Sequence, residues 1–393
     1  MSPRQKIDMV SANADPSADP RGPVDGQCAF VSGLAAALAA AGHDVTVWTR
    51  RDRPDAQARS LTDAGVAVRR VEAGPARAVA TQELLAHLPV FAATLRAAWE
   101  REPPHVVHAH SGASALATLG AVQGSAVPVV QTFHGLLSGG FAGGGAPGRT
   151  GAERRVAKVV DALVATASDE VDALLTTGVP RARITVVPPG VDAAAITPDG
   201  PAHPRGDRAR VVAAGGLARG CGMDEAIVAI GRVPHVELVV VGGRDARDPN
   251  LERLRELATA GGVGHRVRFT GPVAPPELPA VLRSADCVVC LPWSEPSGVV
   301  TLTAMACGRP VVASAVGVLA DAVVDGVTGI LVPPRRLREP AAALRHVLSS
   351  SAVAMAMGTA GRDRAETRYG WGRAADSAAA VYAGLRGAPE LTG

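Results

Sequence analysis

The sequence predicts an α/β protein in which two doubly wound domains face each other across a cleft. Short β-branched runs alternate with longer Ala- and Leu-rich stretches, the pattern of parallel sheets flanked by helices. A length of 393 residues is sufficient for two such domains. A polar stretch rich in Pro and Gly, residues 197–206, has no periodicity and is the predicted linker between them.

The first half carries one alternating series. Strands are expected at residues 7–12, 45–49, 66–71, 106–109, 129–132, 162–166 and 184–187. Helices are expected at residues 29–41, 81–101, 153–160 and 168–177. Gly42 is typical of a helix C-cap, Pro103 cannot continue a helix, and Ser168 is a favoured N-cap residue. These elements form a predicted domain over residues 1–200.

The second half repeats this architecture without a close sequence repeat. Strands are expected at residues 211–214, 236–241, 267–270, 287–291, 311–313 and 330–332. Helices are expected at residues 223–232, 251–260, 278–283, 299–306 and 340–348. They form a second predicted domain over residues 207–365, and a helical tail follows at 366–393. Because such sheets bind ligands at the carboxyl ends of their strands, the predicted site lies in the cleft between the domains.

The composition excludes several classes of protein. With 47% hydrophobic and 20% charged residues, the chain is neither disordered nor fibrous. A net charge of +3 gives no indication of nucleic acid binding. The N-terminus lacks the apolar core of a signal peptide, and the apolar runs are too short to cross a bilayer. We therefore expect a cytoplasmic protein without a transmembrane segment.

The cysteines and histidines indicate no metal site, and the lysine count bears on phosphate binding. The five cysteines predict no disulfide framework, and Cys287 and Cys290 lie in an apolar run typical of core residues. Of the 40 basic residues only Lys6 and Lys158 are lysines, so the second half has no lysine to bind a phosphate. His108 and His110 are expected to point to opposite faces of their strand. We therefore expect neither a metal nor a cofactor.

The most informative segment covers residues 292–314. A strand ends at Leu291, a tight turn holds Glu295, and a helix begins near Val299. The unpaired N–H groups of the first helical turn, at the positive end of the helix dipole, form an anion site. A carboxylate just before that helix can accept hydrogen bonds from sugar hydroxyls. These residues alone leave open an ordinary strand–turn–helix with Glu295 in solvent.

The same segment, with the pattern Glu-Pro-x-Gly-x-x-x-Leu-x-Ala-Met-Ala-Cys-Gly-x-Pro-Val-Val-Ala-Ser, resembles the signature of family 4 glycosyltransferases of the two-domain, Rossmann-like GT-B fold. Each further motif is weak alone, but together, in order, they extend the resemblance over nearly the whole chain, most closely to actinobacterial members. They are Gly42-His43-Asp44-Val45-Thr46-Val47, Val106-Val107-His108-Ala109-His110, Gln131-Thr132-Phe133-His134, Val187-Pro188-Pro189-Gly190-Val191-Asp192, Val241-Gly242-Gly243, Val267-Arg268-Phe269-Thr270-Gly271 and Gly326-Val327-Thr328-Gly329-Ile330-Leu331-Val332-Pro333-Pro334.

The resemblance implies metal-independent, retaining transfer of a sugar from a nucleoside diphosphate donor. The acceptor would be held mainly by the N-terminal domain, to which the C-terminal tail would cross back. Glu295 would bind hydroxyls of the donor hexose, and His134 would reach the sugar near the reacting face. The diphosphate would meet backbone groups at two places: the Gly26-Gln27 turn and the turn and helix start formed by Ser297, Gly298, Val299 and Val300.

Three positions depart from the family pattern. Thr303 stands where the family has a glutamate that binds the nucleotide ribose. In the loop 215–222, Gly216 and Cys221 stand where the family has an arginine and a lysine for the diphosphate. Arg219 is the candidate in this loop for a compensating cation.

Two functions are therefore compatible with the sequence. The first is an active retaining glycosyltransferase that uses Arg219 or accepts a changed donor. The second is a catalytically impaired pseudo-glycosyltransferase that binds a ligand or supports an active partner. The acceptor cannot be read from the sequence, and a peripheral membrane contact or a glycosyltransferase partner is compatible with either function.

Overall fold

The structure is a computed structural model that describes residues 4–15, 26–135, 147–243, 248–295 and 297–386. The described chain forms an eight-stranded sheet from its first half and a six-stranded sheet from its second half. Helices cover both sheets, so the predicted α/β class with two doubly wound domains is confirmed. The domain boundaries at 200, 207 and 365 stay a prediction.

The strands of the first sheet are β1 (Lys6–Val10), β2 (Asp44–Arg50), β3 (Arg59–Leu61), β4 (Ala67–Val71), β5 (Val106–His110), β6 (Val129–Thr132), β7 (Ala162–Ala165) and β8 (Ile184–Val186). Their order is β3-β4-β2-β1-β5-β6-β7-β8. β1 pairs in parallel with β2 and β5, with Met9 opposite both Val47 and His108. The chain builds outward on both sides of β1, so the sheet's binding crevice lies at the carboxyl ends of β1 and β5.

The helices of the first half are α1 (Gly26–Ala40), α2 (Thr81–Trp99), α3 (Gly112–Ala121), α4 (Pro147–Val159) and α5 (Ser168–Thr176). α2 ends shortly before Pro103, as its sequence predicts. α1 and β1 share a buried cluster that includes Ile7, Phe30 and Leu34. This packing fixes the start of α1 directly behind the carboxyl end of β1.

The strands of the second sheet are β9 (Ala209–Gly215), β10 (Val236–Gly242), β11 (Val267–Gly271), β12 (Cys287–Cys290), β13 (Val311–Ser314) and β14 (Gly329–Val332). The order is β11-β10-β9-β12-β13-β14, so its crevice lies between the ends of β9 and β12. Neighbouring residues Val211 and Val212 belong to separate buried clusters on opposite faces. Cys287 and Cys290 are buried free thiols, as predicted.

The remaining helices are α6 (Met223–Ile230), α7 (Pro249–Ala260), α8 (Leu278–Arg283), α9 (Val299–Ala306), α10 (Gly317–Ala322), α11 (Glu339–Leu348), α12 (Ser351–Arg368) and α13 (Trp371–Arg386). Short 3₁₀ turns at Arg181–Arg183 and Gly264–Arg266 precede β8 and β11. α13 packs against the first sheet, because Ala378 and Tyr382 lie in the same buried cluster as Phe30. Tyr369 lies between α12 and α13, where the chain returns to the first sheet. Its carbonyl accepts from the backbone N–H of Val191, in the segment after β8, at 2.6 Å.

Four elements were not predicted from the sequence: β3, α3, α10 and α12. β3 is three residues long and largely exposed, too short to show a period. α3 consists mainly of Gly, Ala and Ser, which give no apolar stripe. α12 mixes Ala, Met, Gly and charged residues without a clear face. In each case tertiary contacts rather than local pattern decide the element.

The two domains are joined by a pair of hydrogen bonds that cap helices across the interface. Asp321 of α10 accepts from the backbone N–H of Ser168, the first residue of α5, at 2.7 Å. Asp169 of α5 accepts from the backbone N–H of Gly317, the first residue of α10, at 2.9 Å. Neither helix has a side-chain cap of its own. Each domain therefore supplies the carboxylate that satisfies a helix start of the other.

Candidate active site

A cavity of about 290 Å³ lies between the two sheets. It is bounded by residues that follow β1, β6, β9 and β12, as expected for the crevices of two facing sheets. The first half contributes Gly26, Gln27 and His134, and the second half contributes Gly216, Cys221, Glu295, Ser297, Gly298, Val299 and Val300. The structure therefore brings most of the sequence-predicted site residues to one place.

Glu295 is partly exposed and organises the turn before α9. Its Oε1 accepts from the backbone N–H of Ser297 at 2.8 Å, from the Ser297 hydroxyl at 2.6 Å and from the backbone N–H of Gly298 at 3.0 Å. Gly298 has a φ of +59°, which glycine adopts readily. Oε2 has no hydrogen-bond partner among the described residues. One carboxylate oxygen thus holds the turn, and the other is open to a ligand.

The first turn of α9 supplies the anion-binding end that the sequence predicts. Val299 and Val300 line the cavity, and their backbone N–H groups belong to a helix start without a side-chain cap. Thr303 is buried one turn further on and donates its hydroxyl to the carbonyl of Val299 at 2.7 Å. Thr303 is not among the residues that line the cavity, so the structure separates it from the other predicted residues.

The loop 215–222 supplies no cation to the cavity. Gly216 and Cys221 lie against each other, because a Cβ at Gly216 would be 3.0 Å from Cys221 Sγ. Burial raises the pKa of the Cys221 thiol, so the thiol stays neutral. Arg219 is exposed and lies outside the cavity lining. The compensating role predicted for Arg219 would therefore require the loop to move.

A second cavity of about 480 Å³ continues from the first along the second sheet. The two share Ala214, Gly215, Gly216 and Val300. Asp248 and Asn250 at the start of α7 contribute its polar groups, and Pro272 and Val273 form an apolar wall. Among the described residues that line either cavity there is neither arginine nor lysine. This second cavity was missed from the sequence, where Gly243 and the N-cap pattern at Asp248 were its only local signals.

Three histidines are packed between α13 and the cavity. His108 and His110 lie on the same face of β5, with ring centroids 4.2 Å apart. The expectation that they point to opposite faces was wrong, because residues two apart on a strand share a face. His108 binds the Tyr382 hydroxyl through Nδ1 at 2.7 Å and the Thr132 hydroxyl through Nε2 at 2.8 Å.

The third histidine, His134, lines the cavity and is held by His110. His110 Nδ1 lies 3.1 Å from His134 Nε2, and the two rings stack with centroids 5.3 Å apart. His134 has a φ of +56°, unusual for a residue other than glycine. Desolvation lowers the pKa of His134 to about 3, so the ring is neutral at physiological pH. His134 can therefore donate or accept a hydrogen bond but does not supply a positive charge.

The hydrogen-bond pattern assigns a tautomer to His134. His110 Nε2 is buried and has no partner among the described residues. A proton on that nitrogen would leave a buried N–H unsatisfied, which is rarer in proteins than an unused acceptor. The proton of His110 is therefore assigned to Nδ1, which donates to His134 Nε2. His134 then carries its own proton on Nδ1, as a donor.

Polar side chains on the first-sheet side of the cavity form a network. Gln27 Nε2 donates to Ser11 Oγ at 3.2 Å, to Asn13 Oδ1 at 3.2 Å and to the His110 carbonyl at 3.3 Å. The Ser111 hydroxyl donates to Asn13 Oδ1 at 3.1 Å, and Ser111 has a φ of +87°. Backbone strain of this kind is concentrated at functional sites. The network follows β1 and β5, at the crevice of the first sheet.

The two sides of the cleft touch at Gly26. A Cβ at this position would lie 2.3 Å from the Cβ of Ser297, so a side chain larger than hydrogen is excluded there. Gly26 is thus required by close approach between the domains.

Comparisons with known proteins agree with this geometry. Residues 25–190 match the family model described as glycosyl transferase 4-like domain, and residues 208–350 match glycosyl transferases group 1. The D-inositol 3-phosphate glycosyltransferase of Kribbella flavida is 33% identical, over 97% of this chain and 96% of that protein. The chain belongs to the family 4 GT-B glycosyltransferases. A second relative of the same name, from Acidothermus cellulolyticus, is 35% identical over 96% of this glycosyltransferase and 90% of its own length.

Solved structures support the same fold. Sucrose-phosphate synthase from Thermosynechococcus elongatus superposes with a TM-score of 0.88 at 28% identity, covering 98% of this glycosyltransferase and 99% of that chain. HepE from Anabaena, in complex with UDP and glucose, has a TM-score of 0.75 at 18% identity, covering 97% and 100% of the two chains. The enzyme class and the GT-B fold expected from the sequence are thereby confirmed.

The described part of the glycosyltransferase offers neither a membrane-spanning helix nor a metal-binding cluster. Within the described ranges, no helix is both long and apolar enough to cross a bilayer. The described residues also contain no group of three His, Cys, Asp or Glu side chains that could hold a metal ion. Metal independence and a cytoplasmic location stay predictions.

Proposed function

We propose that this glycosyltransferase moves a hexosyl group from a nucleoside diphosphate sugar to a hydroxyl of a small polar acceptor, with retention of anomeric configuration. The observation that carries the proposal is the meeting of Glu295, the start of α9 and His134 around one cavity between the two sheets. A carboxylate, an uncapped helix start and a neutral imidazole are respectively suited to sugar hydroxyls, phosphate oxygens and a further sugar oxygen.

The nucleoside would occupy the larger cavity, whose volume of about 480 Å³ is within the range of small-molecule sites. From there the diphosphate would extend along Gly215 and Gly216 to the first turn of α9. The HepE structures with UDP and with UDP-glucose support this class of donor. Because arginine and lysine are absent from the described lining, backbone N–H groups and the helix dipole would carry most of the anion binding.

The hexose would lie in the smaller cavity, between Glu295 and His134. Glu295 Oε2 would accept a hydrogen bond from a sugar hydroxyl while Oε1 continues to hold the turn. His134 Nδ1–H would donate to a sugar oxygen, since Nε2 is occupied by His110. These contacts would orient the anomeric carbon toward the first sheet.

The acceptor would bind beside Gln27, Asn13 and Ser111, whose amide and hydroxyl groups suit a polyhydroxylated molecule. The relatives named D-inositol 3-phosphate glycosyltransferase support a small polar acceptor of this kind. The bond from the anomeric carbon to the leaving diphosphate would break as the acceptor oxygen attacks the same face. The acceptor proton would pass to a leaving phosphate oxygen, so positioning and electrostatics rather than a protein base would lower the barrier.

The test is an assay of the purified chain with UDP-, GDP- and ADP-hexoses and D-inositol 3-phosphate, with the anomeric configuration of the product read by NMR. Glu295→Gln keeps a carbonyl oxygen for the turn but weakens the acceptor of the sugar hydroxyl. We expect kcat/KM to fall by about 10–100-fold, the range for losing a charged hydrogen bond. Glu256→Gln, an exposed glutamate on α7, is the matched control.

The outcomes separate the alternatives. Turnover with retention supports the proposal, and an inverted product contradicts it. Binding or turnover of donor that is insensitive to Glu295→Gln would contradict the placement of the sugar. Failure of every nucleotide sugar to bind would instead favour the impaired, partner-supporting chain.

A further inference from the structure

A third cavity, of about 480 Å³, lies where the chain crosses between the domains. We call it the crossover cavity. It is lined by Pro188 and Pro189 after β8, by Asp321 of α10, by the end of α12 and by the start of α13. It shares no lining residue with the two cavities of the candidate active site. The donor and acceptor sites therefore do not account for it.

The crossover cavity has an excess of positive charge. Three arginines line it, Arg364, Arg368 and Arg373, and Asp321 is the acidic residue in the lining. Asp321 Oδ2 already accepts the backbone N–H of Ser168 at 2.7 Å. Like charges that surround one cavity repel each other, and a bound anion would relieve the repulsion.

Arg364 is held in place by its neighbours. Its Nε donates to the carbonyl of Ala322 and its Nη2 to the carbonyl of Asp321, each at 2.8 Å. Its guanidinium also lies 5.8 Å from the centre of the Tyr369 ring. Arg364 also shares a side-chain hydrogen bond with Tyr369, and these contacts together fix the orientation of the guanidinium. Arg364 is thus a pre-positioned donor at one wall of the cavity.

Arg368 and Arg373 provide two more cations. Both are exposed, and neither guanidinium has a hydrogen bond or an ion pair with a residue in the described part of the chain. Acidic residues are present on the same helices, and Glu366 pairs with Arg362 rather than with either of them. Gly370 and Ser377 complete this wall, which includes the start of the sixteen-residue helix α13.

We propose that the crossover cavity binds a small phosphate-bearing anion, either inorganic phosphate or a phosphomonoester. Arginine is the side chain best suited to phosphate, because its planar fork of donors matches the phosphate oxygens. The Ser377 hydroxyl adds a neutral donor, and the volume is sufficient for a phosphorylated metabolite of sugar size.

Binding there would act on the arrangement of the domains. The anion would join Arg364 and Arg368 of α12 to Arg373 of α13, which packs on the first sheet. It would also lie beside Asp321, one of the two carboxylates that cap helices across the interface. The bound anion is therefore expected to favour the closed cleft.

The test is isothermal titration of the full chain with inorganic phosphate and with glycerol 3-phosphate, at constant ionic strength, with glycerol as the uncharged control. Arg368→Gln/Arg373→Gln removes two exposed cations, and Arg232→Gln/Arg345→Gln removes the same charge elsewhere on the surface. We expect the first double variant to bind phosphate at least about tenfold more weakly, and the second to bind like the wild type. Binding of UDP, measured without phosphate, should be unchanged in both.

Three results would overturn the proposal: no binding of either anion at about 10 mM, equal loss in both double variants, or loss of UDP binding together with phosphate binding. Tighter binding of glycerol 3-phosphate than of phosphate would identify a phosphomonoester as the ligand, and the reverse order would identify inorganic phosphate. The titrations with phosphate and glycerol 3-phosphate use neither glycosyl transfer nor a nucleotide, so a failure of the proposed function would leave their outcome unchanged.

Discussion

His110 Nδ1 lies 3.1 Å from Nε2 of His134, and this contact determines which ring nitrogen of His134 donates into the cleft. The first prediction tests the assignment directly. In wild-type protein, long-range ¹H–¹⁵N correlation should show His134 protonated on Nδ1. His110→Asn places an amide N–H close to the position of Nδ1 and should keep that tautomer. His110→Leu removes the donor, so His134 should no longer be held in the Nδ1-protonated tautomer.

The two variants of His110 should also differ in kcat/KM. His110→Leu should lower kcat/KM by about tenfold or more, the effect of losing an oriented donor to the donor sugar, while His110→Asn should stay within a few-fold of wild type. A purely structural role would lower the melting temperature of both variants without changing the tautomer. An Nε2 proton on wild-type His134 would contradict the assignment outright.

The second prediction concerns the contact between the domains at Gly26. Gly26→Ala would put a methyl group against Ser297, at a Cβ–Cβ distance of 2.3 Å, so the cleft could close only after a shift. Overpacking of this kind costs about 1–3 kcal/mol, and we expect KM for the donor to rise by roughly 5–100-fold. Gly372→Ala, in α13 with no atom within 4 Å of the new Cβ, is the matched control. Equal kinetics of the two variants would contradict close approach in the working enzyme.

The third prediction restores charge to the cleft. Gly216→Arg/Cys221→Lys should tighten nucleoside diphosphate binding by about 10–100-fold, because each cation adds a charge-assisted hydrogen bond. Thr303 is left unchanged, since it is buried and bonded to Val299 and a larger acid there would disturb α9. Arg219→Gln is expected to change the affinity less than twofold, because Arg219 is exposed outside the cavity. Titration with UDP measures both, and a large loss in Arg219→Gln would show that the loop moves over the donor.

The fourth prediction concerns the reciprocal caps of α5 and α10. Asp169→Ala/Asp321→Ala leaves both helix starts without a partner, and each lost cap is worth about 0.5–2 kcal/mol. We expect a larger radius of gyration in small-angle X-ray scattering and a higher KM for the donor. Asp199→Ala/Asp363→Ala, at two exposed aspartates, is the control. An unchanged scattering profile would contradict a role of the caps in closure.

The fifth prediction follows from the buried histidines. Burial lowers the pKa of both His108 and His134 from 6.5 to about 3 and also holds the pKa of His110 well below 6.5, so below pH 6.5 the unfolded chain binds protons that the folded chain does not. Stability is then lost as the pH falls below about 6.5, by up to about 1.4 kcal/mol per pH unit for each histidine. Asp8, whose pKa is raised by burial, contributes in the opposite direction.

The comparison that isolates one histidine is the slope of unfolding free energy against pH. His108→Asn removes one such group. Between pH 3 and 6.5 the slope of its unfolding free energy should be shallower than that of the wild type by up to about 1.4 kcal/mol per pH unit, the contribution of one proton. His346→Asn, at an exposed position on α11, should keep the wild-type slope. Parallel slopes for all three proteins would contradict the assignment of acid sensitivity to His108.

Local patterns were sufficient for much of the fold and for part of the candidate site. β6, α8 and α9 begin and end where the sequence predicts, because short β-branched runs and an Ala- and Leu-rich helix between turn residues are local signals. Glu295, Gly298 and Val299 reach the cavity because they follow a strand of the second sheet, and strand ends meet at one edge. α3 and α12 have no such pattern, and only their packing against neighbours makes them helical.

By itself, the sequence determined the α/β class, the family and the motif residues of the cleft, because periodicity and motif spacing are properties of neighbouring residues. Only the tertiary structure decided that Arg219 lies outside the cavity, that His108 packs against His110 beside Tyr382 and that Asp169 and Asp321 cap each other's helices. It also gathered Arg364, Arg368 and Arg373 around the crossover cavity. These arrangements depend on burial and on contacts between elements distant in the chain, which local pattern does not encode.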